Sequence, residues 1–158
     1  MNTRSLRATA LSLFLTLVDL DLCADPRLPA IISDHMVVQA KGRVPIWGWA
    51  DPGEDILVVL GGVAQRARAD SKGVWIAYFS ELKPGGPHRL TVTGRKTIEV
   101  DDVLVGEVWL GSGQSNMALT VDRAADAEKE KAAATFTGIR LFTVARAPLP
   151  QMPNDCRG

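Results

Sequence analysis

Short runs of β-branched and aromatic residues, separated by turns rich in Gly and Pro, fill residues 28–101 and limit what this part of the chain can fold into. The turn clusters read DPGED, DSKG and KPGGP. Several short strands at this spacing are typical of an antiparallel β-sandwich. The strands that we predict cover residues 44–50, 56–60, 63–69, 74–79, 88–94 and 96–100. About 75 residues make a small domain, but they suffice for one modest core.

The first residues have the pattern of an export signal. Arg4 and Arg7 give a positive start, and residues 8–18 form an apolar run that is too short for an ordinary transmembrane helix. The small residues Cys23 and Ala24 predict cleavage after residue 24. The alternatives are an N-terminal extension without a signal and lipid attachment at Cys23. We expect a secretory signal peptide, a secreted or periplasmic mature chain and no stable membrane span.

The charge balance and the cysteine count bound the function further. The chain has 18 basic and 18 acidic side chains and no basic run longer than two residues, which argues against nucleic acid as a partner. After signal cleavage Cys156 would be the only cysteine. The sequence allows either a disulfide partner beyond this chain or a tolerated free thiol.

From residue 102 onward the pattern changes to longer segments. Residues 102–110 form a nearly continuous apolar run, as in a strand covered on both faces. Residues 122–136 are rich in Ala, Glu and Lys and predict a helix, and residues 139–144 predict a second apolar strand. Strand, helix and strand make a βαβ unit, which requires a parallel sheet. Because a lone unit lacks sheet neighbours, we expect a truncated domain.

The sequence GSGQSN, residues 111–116, joins the predicted strand to the predicted helix and contains Ser115; we call it the glycine turn. Gly111 and Gly113 would allow a sharp backbone path, and Asn116 could brace it. Ser115 could be a nucleophile if a base took its proton and N–H donors faced the oxyanion. It could also be a helix cap, or the turn could be a dinucleotide loop that lacks its third glycine. The residues alone leave these three interpretations open.

Several blocks of the chain together resemble the N-terminal part of the sialate O-acetylesterase family. They read ISDHMVVQ, VPIWGWADPGE, DSKGVW, LKPGGPHRLTVTG and DDVLVGEVWLGSGQSNM, in that order. The resemblance implies an SGNH (GDSL-like) hydrolase with a β-rich domain before a flavodoxin-like α/β domain. The expected fold is therefore mainly β followed by α/β. Its predicted parts are the signal peptide at residues 1–24, a β-sandwich domain at residues 25–101 and an N-terminal fragment of the hydrolase domain at residues 102–158.

The resemblance also implies a role for the glycine turn. Ser115 matches the family's nucleophile, with its own backbone N–H in the oxyanion hole, and Gly113, Gln114 and Asn116 are the supporting residues of the same block. The implied reaction is hydrolysis of O-acetyl esters on sugars or glycans, without metal or organic cofactor. The chain departs from the family's pattern at Gly111, where the family often has Cys, and at residues 118–119, where it commonly has Glu-Trp. The second departure bears on local packing or substrate contacts and leaves the nucleophile in place.

The base for Ser115 is the missing part of this prediction. The two histidines, His35 and His88, both precede the glycine turn, whereas the family's catalytic histidine lies downstream in an Asp-x-x-His block that this chain lacks. We expect a structural role for His35 and a surface position for His88. The chain alone is therefore expected to be inactive.

The tryptophans suggest an alternative function for the β-rich part. Trp47 and Trp49 are two residues apart and would share one face of a strand. They could stack on a sugar in a non-catalytic carbohydrate-binding or scaffold module, or they could pack in the core. Trp75 and Trp109 lie in apolar runs and are expected in the core.

Overall fold

The computed structural model describes residues 25–145 and Asp155; the predicted signal peptide and Cys156 lie outside the described residues. The described part is mostly β, as predicted, with one short α-helix. The strands are β1 Val37–Gln39, β2 Arg43–Trp49, β3 Asp55–Leu60, β4 Val63–Arg68, β5 Val74–Ser80, β6 Gly85–Thr93 and β7 Thr97–Gly106. The helix α1 is Ala127–Ala133, and two single 3₁₀ turns precede it at Ser115–Ala118 and Val121–Arg123.

The strands form a five-stranded sheet in the order β1-β7-β6-β3-β4 and a two-stranded sheet of β2 and β5. The pairs are antiparallel, as predicted, with one exception. β1 lies parallel to β7, with Val37 opposite Leu104 and Gln39 opposite Gly106. Through this parallel pairing, β1, which precedes β2 in the chain, lies beside β7, the last strand of the described residues.

The core contains alternate side chains of both sheets, as the period of a strand requires. From the five-stranded sheet, Val58, Leu60, Leu90, Val92 and Val103 are fully buried. From the two-stranded sheet the core receives Ile46, Trp75, Ala77 and Phe79. The prediction that Trp75 lies in the core is therefore confirmed.

The strand β7 runs through the predicted boundary between residues 101 and 102. Two strands were predicted at residues 96–100 and 102–110, but the structure has one strand that ends at Gly106. Its pairing with β6 continues to Val105, which lies opposite Gly85. The single strand in place of two follows from the pairing with β6, because β6 continues beside β7 past residue 102 and keeps residues 102–105 in the same sheet. Residues 107–110 follow outside any strand.

The predicted βαβ unit is not formed in the described residues. Residues 139–144 are not a strand, and the helix is shorter than predicted at residues 122–136. Asp126 has a φ of 57° in the left-handed region, so the helix begins after it. A strand covered on both faces needs neighbours for its backbone and its side chains, and no described element supplies them.

The apolar side chains of this segment are exposed as a consequence. Trp109 is 89% exposed, so the prediction that it lies in the core is wrong for this structure. Leu110 is 91% exposed and Leu141 is 93% exposed. Within residues 25–145, no helix is long and apolar enough to cross a membrane.

Candidate functional site

The side chain of Gln39 binds the two residues by which the chain leaves the sheet toward the glycine turn. The Gln39 Oε1 atom accepts a hydrogen bond from the Val108 backbone N–H at 2.9 Å. Its Nε2 atom donates to Glu107 Oε2 at 3.0 Å. The backbone N–H of Ala40 donates to the carbonyl of Gly106 at 2.7 Å. These contacts hold the first two residues after β7 beside β1.

Ser115 opens the 3₁₀ turn Ser115–Ala118, and its side chain is exposed. The preceding residue, Gln114, is extended, with φ −85° and ψ −164°. Its carbonyl accepts the N–H of Met117 at 2.9 Å. No side-chain hydrogen bond caps this turn, so the structure gives no support to Ser115 as a helix cap. The supporting residues Gly113 and Asn116 are exposed beside it.

The glycines of the turn lie against the Met117 side chain. Neither Gly111 nor Gly113 is among the glycines with positive φ. A Cβ atom at Gly113 would lie 2.6 Å from Met117 Cγ, and one at Gly111 would lie 3.3 Å from Met117 Cε. The backbone at these two glycines therefore does not use the positive φ that only glycine adopts readily, and the Met117 side chain lies close to both of them.

Neither histidine is a base for Ser115 in this structure. Within the described residues no hydrogen bond joins the Ser115 side chain to His35 or His88. His35 Nδ1 lies 2.6 Å from Asp102 Oδ2. His88, in β6, lines a cleft of about 560 Å³ that also includes Glu81 and Lys83 but not Ser115. The geometry agrees with the expectation that His35 has a structural role.

Asp102 forms a cluster that the sequence reasoning missed. Arg140 Nη2 lies 3.0 Å from Asp102 Oδ2, and His35 contacts the same carboxylate. The hydrogen bonds from Arg140 and then from His35 hold the pKa of Asp102 below its usual value. The only signal in the sequence was that Asp102 and Arg140 are charged residues within the apolar runs 102–110 and 139–144.

Trp47 and Trp49 lie on the outward face of β2, as their spacing predicted, and both are half-buried. Trp47 packs against the edge of the core. The Arg27 guanidinium lies over the ring of Trp49, 5.2 Å from its centroid. On the paired strand, Tyr78 is covered in the same way by Arg43 at 3.4 Å. Two of these three rings therefore already carry a cation on one side.

Comparisons with known proteins give the family context of this site. No family model matches the chain. The sialate O-acetylesterase of Mus musculus is 35% identical over an alignment of 133 residues that covers 75% of this chain and 24% of that protein. The sialate O-acetylesterase of Homo sapiens is 33% identical over an alignment of 148 residues that covers 82% of this chain and 27% of that protein.

A solved structure agrees with these relatives. The crystal structure of a carbohydrate acetylesterase from Xanthomonas citri is 37% identical and superposes with a TM-score of 0.66 over 69% of this chain and 25% of that chain. The present chain thus spans about a quarter of the length of the relatives that it matches. Over the aligned part of those relatives, the chain is a homologue of the sialate O-acetylesterases.

Proposed function

We propose that this chain carries the nucleophile of a carbohydrate O-acetylesterase, and that Ser115 is that nucleophile. The observation that carries the proposal is the exposed Ser115 at the start of a tight turn, in a chain homologous to acetylesterases. The substrate class is an O-acetylated sugar or glycan. A sialate ester is one member of that class, because the relatives from Mus musculus and Homo sapiens are sialate O-acetylesterases.

The chemistry assigned to Ser115 is acyl transfer. Its Oγ would attack the acetyl carbon while a base removes the hydroxyl proton, and the protonated base would return that proton to the sugar oxygen as it leaves. Water would then release acetate from the acyl-enzyme. The first N–H groups of a helical turn have no partner within the turn, so the Ser115 N–H is available for the oxyanion. Gly113, Gln114 and Asn116 would keep the turn in place.

The base and the rest of the hydrolase domain would come from residues outside this chain. The exposed apolar side chains after β7 support this part of the proposal. Trp109, Leu110 and Leu141 are each about nine-tenths exposed, although such residues are usually buried. In a complete SGNH domain, residues 107–110, which follow β7, would form a βαβ unit with residues 122–136 and 139–144 and bury these side chains.

Acetate release from an O-acetylated sugar tests the proposal. The 158-residue chain alone should show no serine-dependent release. A chimera that joins residues 1–145 to the downstream part of the Xanthomonas citri acetylesterase should be active. The Ser115→Ala variant of this chimera should lose at least about a thousandfold in kcat, since removal of a nucleophile leaves only the background of the site.

Ser112 supplies the matched control, because it lies in the same glycine turn and is also exposed. The Ser112→Ala chimera should keep the activity of the parent within about a factor of three. A chimera that remained active without Ser115, or a 158-residue chain whose own activity depended on Ser115, would contradict the proposal.

We also propose that residues 1–24 direct export. The support is the positive start, the apolar run and the small residues at positions 23 and 24. Expression in a bacterial host should give a periplasmic or secreted chain whose N-terminal residue is Asp25. A cytoplasmic chain with residues 1–24 intact would contradict this assignment.

A carbohydrate-binding module is the second proposed function, and the outward position of Trp47, Trp49 and Tyr78 on one sheet favours it. An acetylated oligosaccharide should then quench tryptophan fluorescence, and the Trp47→Ala and Trp49→Ala variants should abolish the quenching. The Trp109→Ala variant is the control, because Trp109 lies outside the sheets. Quenching that disappears only with Trp109, or no quenching at all, would remove this function.

A further inference from the structure

Three distant segments of the chain meet at the carboxylate of Asp102. His35 belongs to the turn before β1, Asp102 to β7, and Arg140 to the segment after α1. Arg140 Nη2 lies 3.0 Å from Asp102 Oδ2 and 3.2 Å from Oδ1, so the guanidinium faces both carboxylate oxygens. Arg140 Nη1 donates to the carbonyl of His35 at 2.9 Å. One guanidinium therefore binds two parts of the β-rich domain at once.

The acceptors of this cluster have a constrained backbone. His35 has a φ of 66° and Asp102 a φ of 56°, which is the left-handed region that residues other than glycine rarely adopt. Such conformations persist only where the surrounding structure holds them. Here the N–H of His35 donates to the Asp101 carbonyl at 3.0 Å, and the N–H of Asp101 donates to Asp34 Oδ1 at 2.8 Å. The β-rich domain thus forms the acceptor pair without help from Arg140.

Arg140 is more sheltered than its apolar neighbours. Its side chain is 23% exposed, whereas Ile139 is 67% exposed and Leu141 is 93% exposed. This order is the reverse of the usual one, because charged side chains are ordinarily the exposed ones. The segment after α1 therefore contacts the β-rich domain through a charged fork and not through its apolar residues.

We propose that Arg140 is a positioning residue: it fixes the far end of the segment that bears Ser115 on the β-rich domain, with Asp102 and His35 as its acceptor site. The near end of that segment is held by Gln39 at Val108. Ser115 lies between these two anchors. Closing a flexible loop at both ends lowers the number of arrangements that it can adopt. The positioning role rests on the function proposed for Ser115, but the anchor itself is tested without enzymatic activity.

Limited proteolysis of the 158-residue chain tests the anchor. Chymotrypsin cleaves after large apolar residues, and Phe136, Leu141 and Phe142 lie on either side of Arg140. The Arg140→Ala variant should be cleaved at these sites about tenfold faster than the parent, because the loss of a charge-assisted fork releases the segment. Arg140→Lys should recover only part of the protection, since a lysine cannot form the fork.

Two variants make the test specific. Arg123→Ala removes the same guanidinium from an exposed position in the same segment, where the side chain makes no hydrogen bond or ion pair with described residues, and it should leave the cleavage rate unchanged. Asp102→Asn keeps a residue type that tolerates positive φ, and it should increase cleavage as Arg140→Ala does. The double variant should be cleaved no faster than the faster single one, since both changes break one contact.

A spectroscopic signature separates positioning from a general loss of structure. A carboxylate can only accept, so a neutral His35 bound to Asp102 must carry its proton on Nδ1. Long-range ¹H–¹⁵N spectra should show the Nδ1–H tautomer in the parent and also in Arg140→Ala, because Asp102 still accepts from His35 when Arg140 is removed, whereas a general loss of structure would shift the tautomer toward Nε2–H. The core, followed by urea unfolding, should be unchanged.

Equal cleavage rates for Arg140→Ala, Arg123→Ala and the parent would overturn the anchor. So would additive effects in the double variant, or a loss of core stability as large as the gain in cleavage. An inactive chimera whose cleavage pattern still depended on Arg140 would reject the esterase function and leave the anchor standing.

Discussion

The side chain of Gln39 accepts the backbone N–H of Val108 at 2.9 Å, at the point where the pairing of β1 with β7 has ended. β1 contributes three residues to the sheet, and its last side chain carries the contact two residues beyond the end of β7. The backbone segment that leads from β7 to Ser115 is therefore held in place at its first residues. Replacing Gln39 should make this segment more mobile without disturbing the core.

For the Gln39→Ala variant we expect hydrogen exchange at the Val108 amide to become about fivefold faster, since one hydrogen bond contributes about 1 kcal/mol. Nuclear magnetic resonance exchange measurements would show it. Gln39→Glu is the matched variant. Its carboxylate can still accept the hydrogen bond from the Val108 N–H, but it cannot donate to Glu107 and repels that carboxylate. Unchanged exchange in Gln39→Ala would mean that the contact does not hold the segment.

Gly48 lies against the largest aromatic ring of the core, and there the structure leaves no room for a methyl group. A Cβ at this position would lie 2.2 Å from the Arg27 carbonyl oxygen and 2.8 Å from Trp75 Cζ2. Gly48→Ala should lower the free energy of unfolding by about 1–3 kcal/mol through overpacking. Gly106→Ala is the control, since its Cβ would meet only Val37 Cγ1 at 3.6 Å. Urea unfolding with equal losses for both variants would refute the packing argument.

Phe79 and Tyr78 are neighbours in β5 that face opposite sides of the two-stranded sheet. Phe79 is 0% exposed and Tyr78 is 39% exposed. Phe79→Ala should cost about 3–5 kcal/mol of unfolding free energy, as for other buried aromatic residues. Tyr78→Ala should cost about 1 kcal/mol or less, because surface changes are usually small. Chemical denaturation that ranked the two variants the other way would contradict the assignment of the buried face.

The Asp70 carboxylate predicts how stability changes in acid. Hydrogen bonds from the backbone N–H groups of Val74 and then Lys72 lower the pKa of Asp70. A carboxylate with a lowered pKa stabilises the fold above its unfolded pKa, and this contribution is lost as the pH falls through the folded pKa. The parent should therefore lose stability as the pH falls below about 4, the unfolded pKa of an aspartate, whereas Asp70→Asn should lose less over the same range. Urea midpoints across this range would decide, and parallel curves would contradict the prediction.

The β-rich part was predictable because its signals are local. The runs that became β2 to β6 each carry their own alternation and end at a turn cluster. The strand β1 was missed because it has only three residues and depends on a parallel partner far along the chain. The run at residues 102–110 was predicted as a strand separate from residues 96–100 because apolar character alone does not say which neighbour a strand pairs with.

The site was predictable only in part, and for a similar reason. The glycine turn and Ser115 stand out in the sequence, and the role of Ser115 stays a prediction. Asp102 and Arg140 are 38 positions apart, and no spacing rule joins a charge in one run to a charge in another. Trp109 was expected in the core because it lies in an apolar run, but burial also needs a partner surface.

Trapping the acyl-enzyme tests the central claim most directly. The chimera would be mixed with an acetyl ester, quenched in acid during turnover and digested for mass spectrometry. We expect an acetyl group on the peptide that contains Ser115, and none on that peptide in the Ser115→Ala variant. An acetyl group on a different residue, or full turnover in the Ser115→Ala variant, would contradict the account.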